Sequence, residues 1–295
     1  MADWTLGVIG GSGFYDIEGL KDSHWVAIAS PWGDPSDEVL IGELSGVKLV
    51  FLPRHGRGHR ISPEAINARA NIDVLKRAGC TDILSINAVG SLREDLEPGD
   101  FAITGQYIDR TTRGGRSFFG EGLVAHLPMA DPVCPRLSAK LAQAAVRCGV
   151  KFVSGATHVV IEGPQFSTRA ESRLFRAWGC DVVGMTALPE ARLAREAELP
   201  YANFCMVTDY DCWRETGSDV EVEHIVAMMQ HSAVKAKDLI VHLAAGLTGS
   251  REASPIDTGL DTAIITDPAK WDAGLAAKLD AICRRRFAAA RPPVS

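Results

Sequence analysis

Tyr201-Ala202-Asn203-Phe204-Cys205-Met206-Val207-Thr208-Asp209-Tyr210-Asp211-Cys212-Trp213 is the stretch on which the reading of this chain turns. Its first seven residues carry no charge and are rich in strand-forming types, as in a strand buried on both faces. Two aspartates follow. Side chains alternate along a strand, so an extended continuation places Asp209 and Asp211 on one side of the sheet's carboxyl end, where open α/β folds keep their ligands. Two carboxylates there can read a donor-and-acceptor edge, such as an amino group beside a ring nitrogen. The competing explanation is structural, because an Asp after a strand often serves as a turn residue or a helix cap. The bulk of Tyr210, Cys212 and Trp213 favours an enclosed surface instead.

Outward from this segment, further strand-like runs occupy residues 6–9, 25–29, 39–41, 47–52, 83–88, 101–108, 157–161 and 182–185. Helical patterns lie between several of them, at 63–78, 135–148, 167–178, 189–197 and 220–245. This alternation predicts an α/β fold with a mixed or parallel sheet covered by helices. The strands crowded before residue 55 add an antiparallel part and suggest partial closure of the sheet. No repeat or low-complexity linker divides the chain, so a single domain over 1–295 is expected. Within it, residues 249–267 read as a loop and 268–290 as a C-terminal amphipathic helix. The Arg284-Arg285-Arg286 cluster suits the end of a helix.

The 295 residues, 46% of them hydrophobic, suffice for a large core. A net charge of -6 without a dense basic run disfavours a nucleic-acid or membrane surface. Seven scattered cysteines, with no C-x-x-C pair, fit a reduced cytoplasm. The N-terminal residues lack the pattern of a signal peptide, and no apolar run reaches membrane length.

Four other strand ends carry candidate chemistry. Gly10-Gly11-Ser12-Gly13 is a flexible turn whose amides and Ser12 hydroxyl can approach an anion, although its spacing matches neither familiar phosphate fingerprint. Arg54-His55-Gly56-Arg57-Gly58-His59 follows an apolar strand; Arg54 offers a planar fork suited to phosphate, and His55 can donate or titrate near neutrality. His55 and His59 lack a Cys or acidic partner that would complete a metal set, so no metal is expected. In Asn87-Ala88-Val89-Gly90, small residues permit amides to approach an anion, or simply pack tightly. In Gly184-Met185-Thr186, Thr186 can cap the next helix or bind phosphate at its positive end, and Met185 can lie against a sugar. Between them, Phe166 can stack on a flat ring, while Ser167 or Thr168 can cap a helix, with Glu171 completing a capping box for Thr168.

Taken together and in order, GVIGGSGF (7–14), RHGRGH (54–59), INAVGSL (86–92), DRTT (109–112), EGPQFSTRAES (162–172), GMTALPEA (184–191) and TDYDCW (208–213) resemble the trimeric purine nucleoside phosphorylase family, in its methylthioadenosine-cleaving branch. The resemblance runs from about Gly7 to Gly246. It implies that phosphate is held by Ser12, Arg54, His55, the backbone at Ala88 and Thr186, and that Met185 contacts the ribose. It further implies that Phe166, Ser167, Asp209 and Asp211 surround the purine, while His59, Val222, Ile225 and Val226 border the methylthio group. His126, in HLPMAD (126–131), matches a residue that completes a neighbouring subunit's pocket, which implies a homotrimer.

The implied activity is phosphorolysis, with orthophosphate as co-substrate and no cofactor or metal. Asp209 is then the candidate acid at N7 and Asp211 the candidate reader of a 6-amino group. Asn87 departs from the Thr that such relatives can carry and matches an Asn-Ala pair of 6-oxopurine phosphorylases. That keeps open a methylthioinosine or 6-oxopurine phosphorylase. A hydrolytic nucleosidase and a noncatalytic nucleoside-binding protein are the remaining alternatives.

Overall fold

The computed structural model describes residues 3–11, 13–214, 222–247 and 249–290. In chain order its strands are β1 (Thr5–Gly10), β2 (Lys21–Val26), β3 (Val39–Leu44), β4 (Val47–Pro53), β5 (Asp82–Ser91), β6 (Phe101–Arg110), β7 (Phe152–Ile161), β8 (Val182–Gly184) and β9 (Tyr201–Asp209). Its α-helices are α1 (Ala68–Arg77), α2 (Pro135–Arg147), α3 (Arg169–Ala177), α4 (Ala187–Glu196), α5 (Val222–Gly246), α6 (Ala273–Lys278) and α7 (Arg284–Ala290). The strands form one mixed sheet in the order β2-β3-β4-β1-β5-β8-β7-β6-β9, and β9 returns to pair with β5. The circuit β5-β8-β7-β6-β9 is therefore closed, and β1 to β4 extend from it as an open wing. This is the mixed, partly closed sheet that the alternating runs predict.

The period of two sorts side chains between the sheet's faces. Leu49, Phe51, Leu84, Ile86, Phe204 and Met206 join Leu137 and Leu141 of α2 and Leu239 and Leu243 of α5 in one buried cluster. Val50, Leu52 and Ile83 join Ile72 and Leu75 of α1 and Ala191 and Leu193 of α4 in another. Phe101 and Phe204 stack at 4.8 Å between centroids in the first cluster. Truncating either ring costs about 3–5 kcal/mol by the usual behaviour of buried aromatics.

Local signals account for most helix starts. The Asn67 side chain accepts from the Ala70 amide and begins α1, so the pattern over 63–78 divides into a short 3-10 turn (Pro63–Ala65) and that helix. Thr168 and Glu171 form the reciprocal capping box of α3. Two spans differ more. The expected strand at 25–29 is an exposed edge over Lys21–Val26, whose outward residues carry no apolar alternation. The strand expected from 157 begins at Phe152, because its first residues are half-buried or exposed.

The single helix expected over 268–290 is not formed. Asp267 and Asp272 each cap a separate start, giving a 3-10 turn (Pro268–Lys270), then α6, a buried turn through Leu279 and Cys283, and α7. Residues 249–267 contain a capped 3-10 turn (Pro255–Thr258), and Ile264 bridges to Ala125. Arg284 to Arg286 open α7 rather than end a helix, which places cations at its positive pole. Ion pairs offset this, since Arg285 reaches the buried Glu198 at 2.5 Å and Asp261 at 2.6 Å. Among the described residues, no helix is long and apolar enough to cross a membrane.

Candidate active site

A cavity of about 550 Å³ opens where β4, β5, β8 and β9 run out. Arg54, His55 and His59 enter it after β4, Asn87, Ala88 and Gly90 from β5, and Phe166 and Ser167 from the segment before α3. Met185 and Thr186 follow β8, Asp209 ends β9 and Asp211 lies in the turn after it, and Ile225 and Met229 come from α5. Most of the residues proposed from sequence thus share one space. Ser12 and the side chain of Val222 lie outside the described residues. Val226 does not line the cavity and is 45% exposed. The helix explains this: Ile225 and Met229 are four apart and share a face, whereas Val226 is turned away by one residue. His126 is exposed and also outside the cavity; its amide donates to Ala263.

The carboxylates reach the cavity by a different route from simple alternation. Val89 pairs with Val207 and Gly90 with Asp209, so Thr208 is an extra residue that breaks the register. Such a bulge re-aims the side chain that follows it. Asp211 then takes a left-handed φ of 53°, so the extended geometry ends between the two acids. Asp209 accepts the Thr208 hydroxyl and the Asp211 amide, each at 2.7 Å. Asp211 keeps a buried Oδ2 with no hydrogen-bond partner. Burial raises its pKa, and the neighbouring Asp209 pushes in the same direction, against the Ser172 hydroxyl. The turn is anchored by the Trp213 indole, which donates to Ser91 O at 2.8 Å, and by Cys212, which donates to Ser167 O at 3.1 Å. The second bond links the acids to the segment presenting Phe166.

At the other end, Arg54 is only 2% exposed, and its fork is largely committed within the protein. Nε and Nη2 hold Glu190 at 2.5 and 3.1 Å, Nη2 also reaches Ser85 Oγ at 2.7 Å, and Nη1 donates to Ile86 O at 2.8 Å. The free bidentate fork expected for an anion is thus not offered; one Nη1 hydrogen is left for a ligand. His55 also differs from expectation. Its Nδ1 donates to Ile61 O at 2.8 Å, so its other nitrogen can only accept, and burial holds its pKa down to about 4. It is neutral near pH 7 and stacks on His59 at 4.2 Å. Thr186 precedes α4 without capping it, so its hydroxyl is available to the cavity. Asn87 bonds to that hydroxyl at 2.7 Å, which places Asn87 in this half and away from the acids. Among the described residues, no group of three or more His, Cys, Asp or Glu is placed to hold a metal.

The sequence profile of the phosphorylase superfamily matches residues 5–245, from β1 almost to the end of α5. The chain belongs to the phosphorylase superfamily. It is 52% identical over 282 residues to the S-methyl-5'-thioadenosine phosphorylase of Cereibacter sphaeroides, covering 95% of this chain and 97% of that one. A crystal structure of a methylthioadenosine phosphorylase from an antarctic soil metagenomic library superposes with a TM-score of 0.90 at 41% identity, over 95% of this chain and 99% of that chain. A methylthioadenosine phosphorylase from Schistosoma mansoni, solved with adenine, gives 0.77 at 34% identity, over 96% and 98%. The resemblance read from the motifs is borne out, and so is the fold class.

The site also contains residues that the motifs did not single out. Glu190 is the buried counter-ion of Arg54, and it lies inside the quoted GMTALPEA run, where it reads as a helix residue. Met229 shares the face of Ile225, a signal available from helical spacing. Arg60 lines the cavity while its Nη2 holds Ser36 O at 2.7 Å. Gly184 abuts His158 so closely that a Cβ there would lie 2.6 Å from the imidazole Nε2, a requirement that only the folded chain reveals.

Proposed function

We propose that this phosphorylase transfers the sugar of 5′-methylthioadenosine to orthophosphate, releasing adenine and 5-methylthioribose 1-phosphate, with no metal or cofactor. The observation that carries this reading is one cavity with a half-buried carboxyl pair at one end and hydroxyl, amide and guanidinium donors at the other. Ile225 and Met229 add an apolar wall suited to a methylthio group. The high identity to proteins with this activity supports the same substrate.

In the reaction, a phosphate oxygen forms a bond to C1′ as the bond from C1′ to N9 breaks. The sugar gains positive character and the base negative charge. Thr186, the amide at Ala88 and the remaining Arg54 hydrogen hold the phosphate beneath the sugar; Ser12 in the glycine turn is a further donor. Met185 supports the ribose and Phe166 and Ser167 the base. His55, as a neutral acceptor, suits a sugar hydroxyl or a protonated phosphate oxygen, with His59 stacked beside it.

Burial favours a proton at Asp211, and Asp209 beside it is the proposed acid that delivers a proton to N7 so that adenine leaves neutral. Asp209→Asn lowers kcat more than it raises the substrate KM; an unchanged kcat refutes the acid role. An acceptor facing the 6-position selects an amino group, and a mispaired buried polar group costs about 1–3 kcal/mol, roughly ten- to a hundredfold. Asp211→Asn therefore gains activity on methylthioinosine; no gain defeats this account of selectivity. Asn87 gives no support to a 6-oxopurine reading, because it serves the anion end.

The decisive assay measures base release from methylthioadenosine, adenosine, methylthioinosine and inosine, with and without phosphate. Undiminished release without phosphate makes the protein a hydrolase, faster release from the oxo substrates makes it a 6-oxopurine enzyme, and binding without release makes it noncatalytic. We propose further that His126, which is exposed and outside its own chain's cavity, completes a neighbour's site in a homotrimer, which sedimentation of the intact protein checks. Seven unpaired cysteines suit a cytoplasmic setting.

A further inference from the structure

Beneath the anion end of the cavity lies a buried polar chain that the reaction does not touch directly. Asn203, on β9, is fully buried, and its four bonding capacities are occupied. Its carbonyl oxygen accepts from Thr104 Oγ1 at 2.8 Å and from the Cys205 thiol at 3.2 Å. Its amide nitrogen donates to the Ser85 backbone oxygen at 3.1 Å and to Asn87 Oδ1 at 2.5 Å. A backbone carbonyl can only accept, so the Ser85 oxygen dictates which way the Asn203 amide faces.

That choice propagates. Asn87 Oδ1 receives Asn203, and it shares the Ser85 hydroxyl with Glu190 at 2.9 and 3.0 Å, so the Asn203 bond sets it as an acceptor. The Asn87 amide nitrogen must then face Thr186, and it donates to Thr186 Oγ1 at 2.7 Å. Thr186 accepts this bond and makes no capping bond with its own helix, so its single hydrogen is directed away from Asn87, on the side that lines the cavity. Reversing the Asn87 amide would draw the Thr186 hydrogen inward and leave an oxygen lone pair facing the ligand.

We propose that Asn203 is a positioning residue for phosphate: it fixes the polarity of the Asn87 amide so that Thr186 meets the anion as a donor. The inference rests on the assignment of Thr186 to the phosphate subsite. It makes a buried residue, three hydrogen bonds removed from the ligand, a determinant of phosphate affinity but not of nucleoside affinity. Its signature is a separation between the two substrates.

The test uses the intact enzyme and initial rates with phosphate and methylthioadenosine each varied. Asn203→Asp keeps the shape and, assayed at a pH high enough to ionise it, presents only acceptors to Asn87, so Asn87 turns over and Thr186 loses its donor role. The KM for phosphate rises about tenfold or more, in keeping with an orphaned polar contact, while the KM for methylthioadenosine stays within about twofold. Asn203→Leu removes the bond without imposing the reverse polarity, and gives a smaller rise in the same parameter; it also serves if the aspartate variant fails to fold. On a Thr186→Val background neither substitution raises the phosphate KM further, because the hydroxyl they act through is gone. Equal changes in both KM values, or an undiminished effect on that background, overturn the relay. Wild-type cleavage that proceeds equally without phosphate overturns the proposed function instead, so the two failures are distinguishable.

Discussion

Gly90→Ala tests whether the carboxylates work through their exact placement or merely through their presence. Gly90 sits on β5 opposite Asp209, and its φ lies outside the left-handed range, so alanine suits the backbone there. A Cβ would stand 2.9 Å from Asp209 Oδ1, 3.2 Å from Val183 Cγ1 and 3.3 Å from Asp211 Cβ. Ordinary contact begins at 3.4 Å, so the Asp209 oxygen must retreat by about 0.5 Å. That oxygen accepts the Asp211 amide at 2.7 Å, and the retreat disturbs the bond joining the two acids. Overpacking of this kind costs typically about 1–3 kcal/mol, and a displacement near 1 Å at a reacting group can lower rates about a hundredfold. The expected result is a fall in kcat of about ten- to a hundredfold, a phosphate KM within about twofold of wild type, and a small loss in melting temperature. Initial rates of adenine release and a thermal melt provide the measurements. Adding Gly90→Ala to Asp209→Ala should lower kcat much less, because the colliding oxygen is absent. A single Gly90→Ala variant with kcat within twofold of wild type refutes the claim that the spacing of the acids matters.

Two further predictions concern buried ionisable groups near the site, alongside those on Asp209, Asp211 and Asn203. Glu190→Ala leaves the Arg54 guanidinium buried without its counter-ion, and should cost about 3–5 kcal/mol in urea unfolding, whereas replacing the pair together by Arg54→Met and Glu190→Leu should cost less. Equal losses would mean that the pair is not the source of the penalty. Burial holds the fully buried His158 down to about 4, below its ordinary 6.5. The native state then binds fewer protons than the unfolded one, so this contribution to stability is complete above about pH 6.5 and declines as pH falls toward 4, by about 3 kcal/mol in all. His158→Gln should flatten that slope in unfolding curves; an unchanged slope removes His158 as its cause.

The sheet and the identity of the site were legible because both write local signals. Apolar runs at residues 47–52 and 83–88 mark buried strands, and the strand ends carry Gly, Thr, Asp and Arg in runs that are specific as a set. Thr168 and Glu171 show a capping box at its proper spacing. What could not be read was each group's partner. Arg54 looks like a free anion ligand until Glu190, 136 positions away, is folded against it. His55 looks titratable until Ile61 takes its Nδ1 hydrogen. Asp209 and Asp211 do share a surface, but a bulge at Thr208 and a left-handed turn bring them there, and neither has a signature in composition or period. A single helix over 268–290 overextends for a related reason: the apolar stripe runs on through residues where the Asp267 and Asp272 caps and the buried turn at 279–283 divide the chain.

The partner assignments also bear on how the anion end works. With Arg54 matched by Glu190 and His55 neutral, the innermost groups bring little net charge to a phosphate dianion. Arg60, which is exposed, lies at the cavity with its side chain already holding Ser36 O. Recognition must then rest on oriented dipoles, namely hydroxyl and amide hydrogens aimed at fixed positions. Such an arrangement suits a nucleophile better than a bare cation would. A strong ion pair stabilises the dianion before attack as much as during it, and binding energy given equally to ground and transition states does not speed the chemical step. Preorganised dipoles hold the oxygen in line with C1′ and leave its negative charge available to the developing sugar cation. On this view the buried Asn203, Asn87 and Ser85 belong to the site as much as the groups that touch the ligand. A donor that can reverse is worth little to an anion, and these residues are what keep the Thr186 hydrogen pointing outward.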